Sequence, residues 1–199
     1  MAENFKQPYF SVSLADFWRR WHISLGKWMR DYVFYPFALT KPMKNMSKWA
    51  NKRLGKHLGR VLPAALGNLL VFFVVGIWHG TQWHYVIWGL YNGAVIAFSD
   101  IMAPVYEKLI TALHIPAKTS FWKVFQILRT FIIVNTGWYF DRITNVKTAL
   151  YSLKKTIFDF QPELFETEWK IVTYGYESYA VSLAALACVV IFIVSVIEE

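Results

Sequence analysis

Between Arg60 and Asp100 the chain runs for 39 residues, Val61 to Ser99, without one Asp, Glu, Lys or Arg. A fold dissolved in water has no need of such a stretch. A helix takes roughly 20 apolar residues to cross a hydrocarbon core about 30 Å thick, so the gap has room for two spans. Its polar interruption is Trp78-His79-Gly80-Thr81-Gln82, which predicts membrane helices over 61–78 and 83–100. Further membrane helices are predicted over 121–140 and 179–197; the latter is uncharged throughout, whereas the former carries Lys123 and Arg129. A bare charge at mid-bilayer costs at least about 2.5–3.5 kcal/mol, so Arg129 is expected to face protein or a headgroup layer. The expected fold class is all-α, a polytopic membrane helical bundle with interfacial or re-entrant helices, forming a single partial membrane domain over 1–199.

The net charge of +8 is concentrated at one end. Residues 1–60 hold twelve of the 21 Lys and Arg against only Glu3, Asp16 and Asp31. Lys41, Lys44, Lys48, Lys52, Arg53, Lys56 and Arg60 fill 41–60 with no acid among them. A basic run abutting an apolar span reads as a cytoplasmic loop touching anionic lipid headgroups, which makes membrane lipids a partner. No basic-aromatic recognition module surrounds it, so no nucleic acid is expected. Residues 159–170, rich in acids and broken by Pro162, read as a solvated loop. One cysteine, Cys188, excludes a disulfide scaffold. The first 16 residues lack the apolar core of a signal peptide.

Residues 13–37 predict an interfacial aromatic-basic helix. Ser13-Leu14-Ala15-Asp16 has the form of an N-terminal capping box. Phe17, Trp21, Trp28 and Tyr32 then share one helical stripe, Trp18, His22, Leu25 and Met29 an adjacent one, and Pro36 ends the pattern. Arg20 stands four after Asp16 and Lys27 four before Asp31, so both pairs are expected to meet. By spacing alone His22 reads as a buried histidine bonded to backbone or a neighbour, and Arg19, Arg20 and Arg30 as solvated or lipid-facing.

His79 is different in kind, because it lies inside the uncharged stretch. Ionisable groups at membrane depth usually face protein or a water-filled cavity, and neutral imidazole is well suited to taking a proton near neutral pH. His84 lies five residues on, off the helical face a metal pair needs, and no Cys pair or carboxylate stands near, so no metal is expected. His84 reads as an interfacial residue, His57 as part of the basic loop and His114 as a loop residue. No Gly-x-Ser-x-Gly, phosphate-binding glycine loop or dinucleotide fingerprint is present.

Two blocks carry a family resemblance. Asp16-Phe17-Trp18-Arg19-Arg20-Trp21-His22-Ile23-Ser24-Leu25, continuing to Trp28 and Arg30-Asp31-Tyr32-Val33, resembles the hallmark block of the bacterial membrane-bound O-acyltransferases. Gly76-Ile77-Trp78-His79-Gly80 resembles their Trp-His-Gly motif, and Gly137 to Arg142 with Ala149-Leu150 is similar to the alginate O-acetyltransferase branch. Where that branch continues Tyr-x-Pro-Leu-Gly-Gly, this chain has Tyr35-Pro36-Phe37-Ala38-Leu39.

The resemblance implies His79 as catalytic base and His22 as a second catalytic or substrate-positioning histidine. It implies substrate-binding roles for Trp78, Trp18, Arg19 and Asp31. It also implies no bound cofactor, an acyl thioester co-substrate (acetyl-CoA or an acyl-carrier protein), and acyl transfer to hydroxyls of a cell-envelope polysaccharide. An extracytoplasmic acetyl-transfer partner protein, D-alanyl transfer toward teichoic acid as the alternative chemistry, and a multi-pass place in the bacterial cytoplasmic (inner) membrane come with it. Family members are expected to be about twice this length, so the chain reads as a C-terminal half, inactive alone. A non-catalytic channel or scaffold subunit with structural histidines is the competing reading.

Overall fold

The computed structural model describes residues 3–159, 183, 186–190 and 194. The chain divides into two compact units, residues 1–150 and 151–199. Among the described residues every regular element is helical. In order these are a 3-10 helical turn (Pro8–Phe10), α1 (Leu14–Arg20), α2 (Ile23–Met29), a π-helical turn (Arg30–Phe34), α3 (Tyr35–Ala38), α4 (Lys41–Leu54), α5 (Lys56–His79), α6 (Trp83–Ala112), α7 (Ser120–Arg142) and α8 (Val146–Phe158). The span expected over 179–197 lies outside the described residues, save for a few helical positions from Leu183 to Val194, and the acidic loop over 159–170 lies outside them from residue 160 on.

The charge-free stretch folds as an antiparallel pair, α5 and α6, turning at Gly80–Gln82 as its polar interruption predicts. Both are long and apolar enough to cross a membrane, at about 36 and 45 Å for a 1.5 Å rise per residue. They outrun the expected bounds, because α5 starts at Lys56 and α6 continues to Ala112. Water gives two helices no reason to associate within lipid, so close van der Waals contact has to hold them. Glycine permits it. A Cβ on Gly76 would stand 2.6 Å from the Tyr85 carbonyl oxygen, and one on Gly89 would overlap the Phe72 carbonyl oxygen. Phe72, Val75, Trp88 and Ile96 are buried along this seam, while Leu66, Phe73, Leu90 and Phe98 stay exposed on the outer faces, which suits a lipid surrounding.

Each long helix contains an internal proline, and each proline leaves a carbonyl four residues back without its helical donor. The structure supplies both missing donors from elsewhere. Pro63 lies in α5, and Ser47 of α4 donates its hydroxyl to the Gly59 carbonyl at 2.7 Å. Pro104 lies in α6, and His57 Nε2 stands 3.1 Å from the Asp100 carbonyl and 3.3 Å from that of Ile101. Two carbonyl acceptors require Nε2 to carry the proton. His57 is thus a structural donor on α5, not a residue of a loop.

The segment 41–60 is likewise not a loop. It is helix α4 followed, after the turn at Gly55 (φ 94°), by the first turn of α5. Seven cations do not prevent helix here, since Ala50 and the apolar side of α4 pack on α5. Helix α7 covers the expected 121–140 segment, but Lys123, Arg129, Asn135 and Thr136 interrupt its apolar surface. Among the described residues only α5 and α6 have the length and apolarity to cross. Arg129 is exposed, and its Nη2 donates to the Val12 carbonyl at 2.9 Å.

Removing the His57 donor leaves a part-buried carbonyl unpaired, which costs about 1–3 kcal/mol. His57→Ala is expected to lower the thermal midpoint of the detergent-solubilised protein, and His57→Gln, which can still donate, to recover part of the loss. Equal midpoints for wild type and His57→Ala would contradict this assignment.

Candidate functional site

Helix α1 is capped as the Ser13 motif predicts: Ser13 Oγ accepts from the Asp16 amide at 3.1 Å. The Asp16 carboxylate accepts from the Val12 amide at 3.3 Å and pairs with Arg20 at 3.2 Å and Arg19 at 3.4 Å. The expected single helix over 13–37 does not continue past Arg20. His22 adopts φ 49°, ψ 54°, a left-handed conformation that turns the chain and starts α2. The cause is the segment before α1, which lies across this break. The Lys6 amide donates to the Arg20 carbonyl at 2.9 Å, and the Ile23 amide donates to the Asn4 carbonyl at 2.9 Å.

Asn4 Oδ1 accepts from both the amide and the hydroxyl of Ser24 at 2.9 Å, doing for α2 what an N-cap side chain normally does from the neighbouring position. With Oδ1 so engaged, Asn4 Nδ2 is the atom that faces His22 Nδ1, at 3.4 Å. That contact makes Nδ1 an acceptor and leaves the proton on Nε2. The break also scatters the two expected stripes. Phe17 is buried, whereas Trp28 and Tyr32 are exposed and pack on each other with centroids 5.3 Å apart. The π-helical turn shifts register after Met29, and Asp31 pairs with Arg30 at 3.2 Å rather than with Lys27.

Above this break lies an apolar cavity of about 320 Å³. Trp18, His22, Leu25 and Met29 wall it from α1 and α2, and Phe72, Val75 and Ile96 from the α5–α6 pair. Trp18 is fixed there because its Nε1 donates to Asn92 Oδ1 at 3.1 Å, while Asn92 Nδ2 donates to the Trp88 carbonyl at 2.8 Å. Arg19 reaches the rim with its side chain 73% exposed. Asp31, half exposed, is not among the residues lining this cavity or the next.

His79 is the last residue of α5. Its Nδ1 stands 3.8 Å from Oδ1 of Asp141, which the C-terminal end of α7 brings in. The Asp141 side chain is only 13% exposed and also meets Arg142 Nε at 3.6 Å. The imidazole packs on Trp88, with centroids 4.6 Å apart, and on Tyr85 at 5.9 Å. His79, Asp141, Arg142, Trp88, Trp138, Tyr9 and Trp21 enclose a second cavity of about 440 Å³. The two candidate histidines therefore line different cavities. Trp21 is common to both. Half-exposed Trp78 touches both rings, His22 at 6.2 Å and His79 at 5.1 Å between centroids.

Residues 1–138 match the model of the membrane-bound O-acyltransferase family. The chain belongs to that family. It is 31% identical over 147 residues to a "probable alginate O-acetylase" of Azotobacter vinelandii, a match over 74% of this chain and 24% of the relative. To a peptidoglycan O-acetyltransferase of Helicobacter pylori it is 30% identical over 151 residues, 76% of this chain and 24% of the relative. A teichoic acid D-alanyltransferase of Bacillus subtilis is 38% identical over 94 residues, 47% of this chain and 21% of the relative. The chain thus spans about a quarter of the length of the curated relatives it matches. Family membership accords with two helices long and apolar enough to cross a membrane and makes a membrane setting the proper frame for the site.

Three site features escaped the sequence reasoning. Asp141 carried a signal, an acid within an apolar aromatic segment, which marks functional candidates in membrane proteins. Asn4 carried none, since its partners lie 18 and 20 residues away. His84, expected at the interface, is 2% exposed and packs on Tyr85 with centroids 4.0 Å apart. The turn into α6 folds it back against protein.

Asn4→Ala removes the cap that α2 borrows, a loss of about 1 kcal/mol. Hydrogen exchange at the Ser24 amide is expected to quicken about fivefold, with the Phe17 amide as an unaffected reference. No change at Ser24 would show that Asn4 does not hold the break.

Proposed function

We propose that this chain carries the acyl-transfer centre of a membrane O-acyltransferase. The enzyme moves an acyl group, acetyl in the first instance, from a thioester donor to hydroxyls of a cell-envelope polysaccharide. The observation that carries the proposal is the approach of Asp141 to His79 Nδ1 at 3.8 Å beside a cavity, at the end of an apolar helix. A carboxylate on that side favours a proton on Nδ1 and leaves Nε2 as the basic atom. His79 Nε2 takes the hydroxyl proton as the acceptor oxygen attacks the thioester carbonyl carbon. The tetrahedral intermediate then collapses, the C–S bond breaks, and the leaving thiolate takes the proton from the imidazolium.

Asp141 stabilises the imidazolium between these steps. His22, with its proton on Nε2, is a donor at the edge of the apolar cavity and positions substrate there, with Trp18, Trp78 and Arg19 as walls and rim. Asp31 stands outside both cavities and has a structural pairing with Arg30. The donor is acetyl-CoA or an acyl-carrier protein, and the chain needs no bound cofactor of its own. A multi-pass place in the bacterial inner membrane and an extracytoplasmic acetyl-transfer partner complete the proposal. Both rest on the family relationship.

D-alanyl transfer toward teichoic acid from a carrier protein is the second reading. It is favoured by the 38% identity over 94 residues to the Bacillus subtilis D-alanyltransferase. Supplying reconstituted whole protein with labelled acetyl-CoA, or with D-alanyl carrier protein, separates the two.

In the whole protein, His79→Ala is expected to reduce transfer by about 10²–10⁴-fold, the range for loss of a general base, while membrane insertion is unchanged. Transfer at the wild-type rate by that variant would sink the proposal. Asp141→Asn is expected to lower kcat by about 10–100-fold with little change in KM. That is less than the roughly 10⁴-fold effect at a hydrogen-bonded triad carboxylate, because 3.8 Å exceeds hydrogen-bond length.

A further inference from the structure

At the opposite end of α5 from His79, helices α4 and α5 enclose a groove of about 710 Å³. Lys44 and Lys48 line it from α4, and Lys56 and Arg60 from the first turns of α5, with Ser47 and Asn51 between them. The helices are locked together at its floor. Ser47 Oγ donates to the Gly59 carbonyl, and a Cβ on Gly59 would stand 2.7 Å from that of Asn51.

Two features make this groove more than a basic surface. Lys44 with Lys48, and Lys56 with Arg60, are like-charge pairs four residues apart on facing helices, an arrangement that destabilises a helix unless a counter-charge is present. No carboxylate pairs with any of the four among the described residues, and the sequence has no acid between Asp31 and Asp100. Among the described residues, then, nothing neutralises the four cations of the groove. The groove also stands where the uncharged run of α5 begins, immediately after Arg60, so in a bilayer it lies at headgroup depth. Its volume falls within the range of small-molecule pockets and exceeds what a bare ion occupies.

We propose that the α4–α5 groove is a phosphate site that seats the headgroup of an anionic phospholipid. The Lys44, Lys48, Lys56 and Arg60 side chains surround the phosphate, and Asn51 donates at its edge. The lipid occupies the leaflet on the Lys56 side and neutralises the two like-charge pairs. The proposal does not depend on acyl transfer, so loss of the His79 assignment would leave it standing.

The test uses the purified protein in nanodiscs of phosphatidylcholine alone or mixed with phosphatidylglycerol, with retained lipids counted by native mass spectrometry after delipidation. Wild type is expected to retain phosphatidylglycerol selectively. Lys48→Gln with Arg60→Gln is expected to weaken that retention by about tenfold or more, since each cation near an anionic surface contributes about fivefold. Lys52→Gln with Arg53→Gln removes the same charge outside the groove and is expected to keep it. Equal weakening in both double variants would overturn the proposal in favour of diffuse attraction. Displacement of the lipid by millimolar inorganic phosphate, with equal binding of that phosphate in lipid-free detergent, would overturn it in favour of a soluble phosphate ligand. Should the groove variants fold poorly, the wild-type comparison decides alone, because equal retention of the two lipids refutes a headgroup site.

Discussion

Everything in the first unit depends on the distance between α5 and α6. The carbonyl of Phe72 lies against the backbone of Gly89, and that of Tyr85 against Gly76. No side chain fits between them. With the helices this close, Trp88 is buried beside His79, and Asn92 is placed to hold the Trp18 indole with one end and its own helix with the other. Trp18 in turn fixes α1 and the near wall of the first cavity. In lipid, where apolar surface alone gives little drive to associate, a contact of this kind has to be made by shape, and glycine makes that shape available.

The same environment explains how polar backbone is managed. Two prolines inside the long helices would each strand a carbonyl. Ser47 and His57 supply the missing hydrogen-bond donors from packed neighbours. One of these is a histidine that spacing assigned to a loop. A titratable residue near a membrane segment is therefore not automatically a functional one, and His57, on the same helix as His79, has a structural task.

What could be read from the chain alone was whatever rests on local composition and period. The charge-free run announced the α5–α6 pair and its turn at Gly80–Gln82, the Ser13 motif announced the start of α1, and the two motif blocks announced the family. The break at His22 was not legible, because apolar periodicity runs straight through it. What interrupts it is Asn4, reaching from outside the pattern to satisfy Ser24. The partnership of His79 with Asp141 was equally hidden, since 62 positions separate them and only the packing of α7 joins them. The basic segment misled for the opposite reason. Charge density suggested a loop, yet one packed face was enough to keep α4 helical.

The two cavities share one indole, so whatever holds the Trp21 ring shapes a wall of both. The Trp21 ring stacks on Phe17 at 5.5 Å and meets Trp138 at 5.8 Å, Phe5 at 5.0 Å and Tyr9 at 6.2 Å. Phe5 and Tyr9 belong to the segment that Asn4 and Lys6 fasten down. The fastening that sets the position of this shared wall is therefore the same one that orients a histidine, because Asn4, which ties the segment to Ser24, also faces His22 Nδ1 at 3.4 Å.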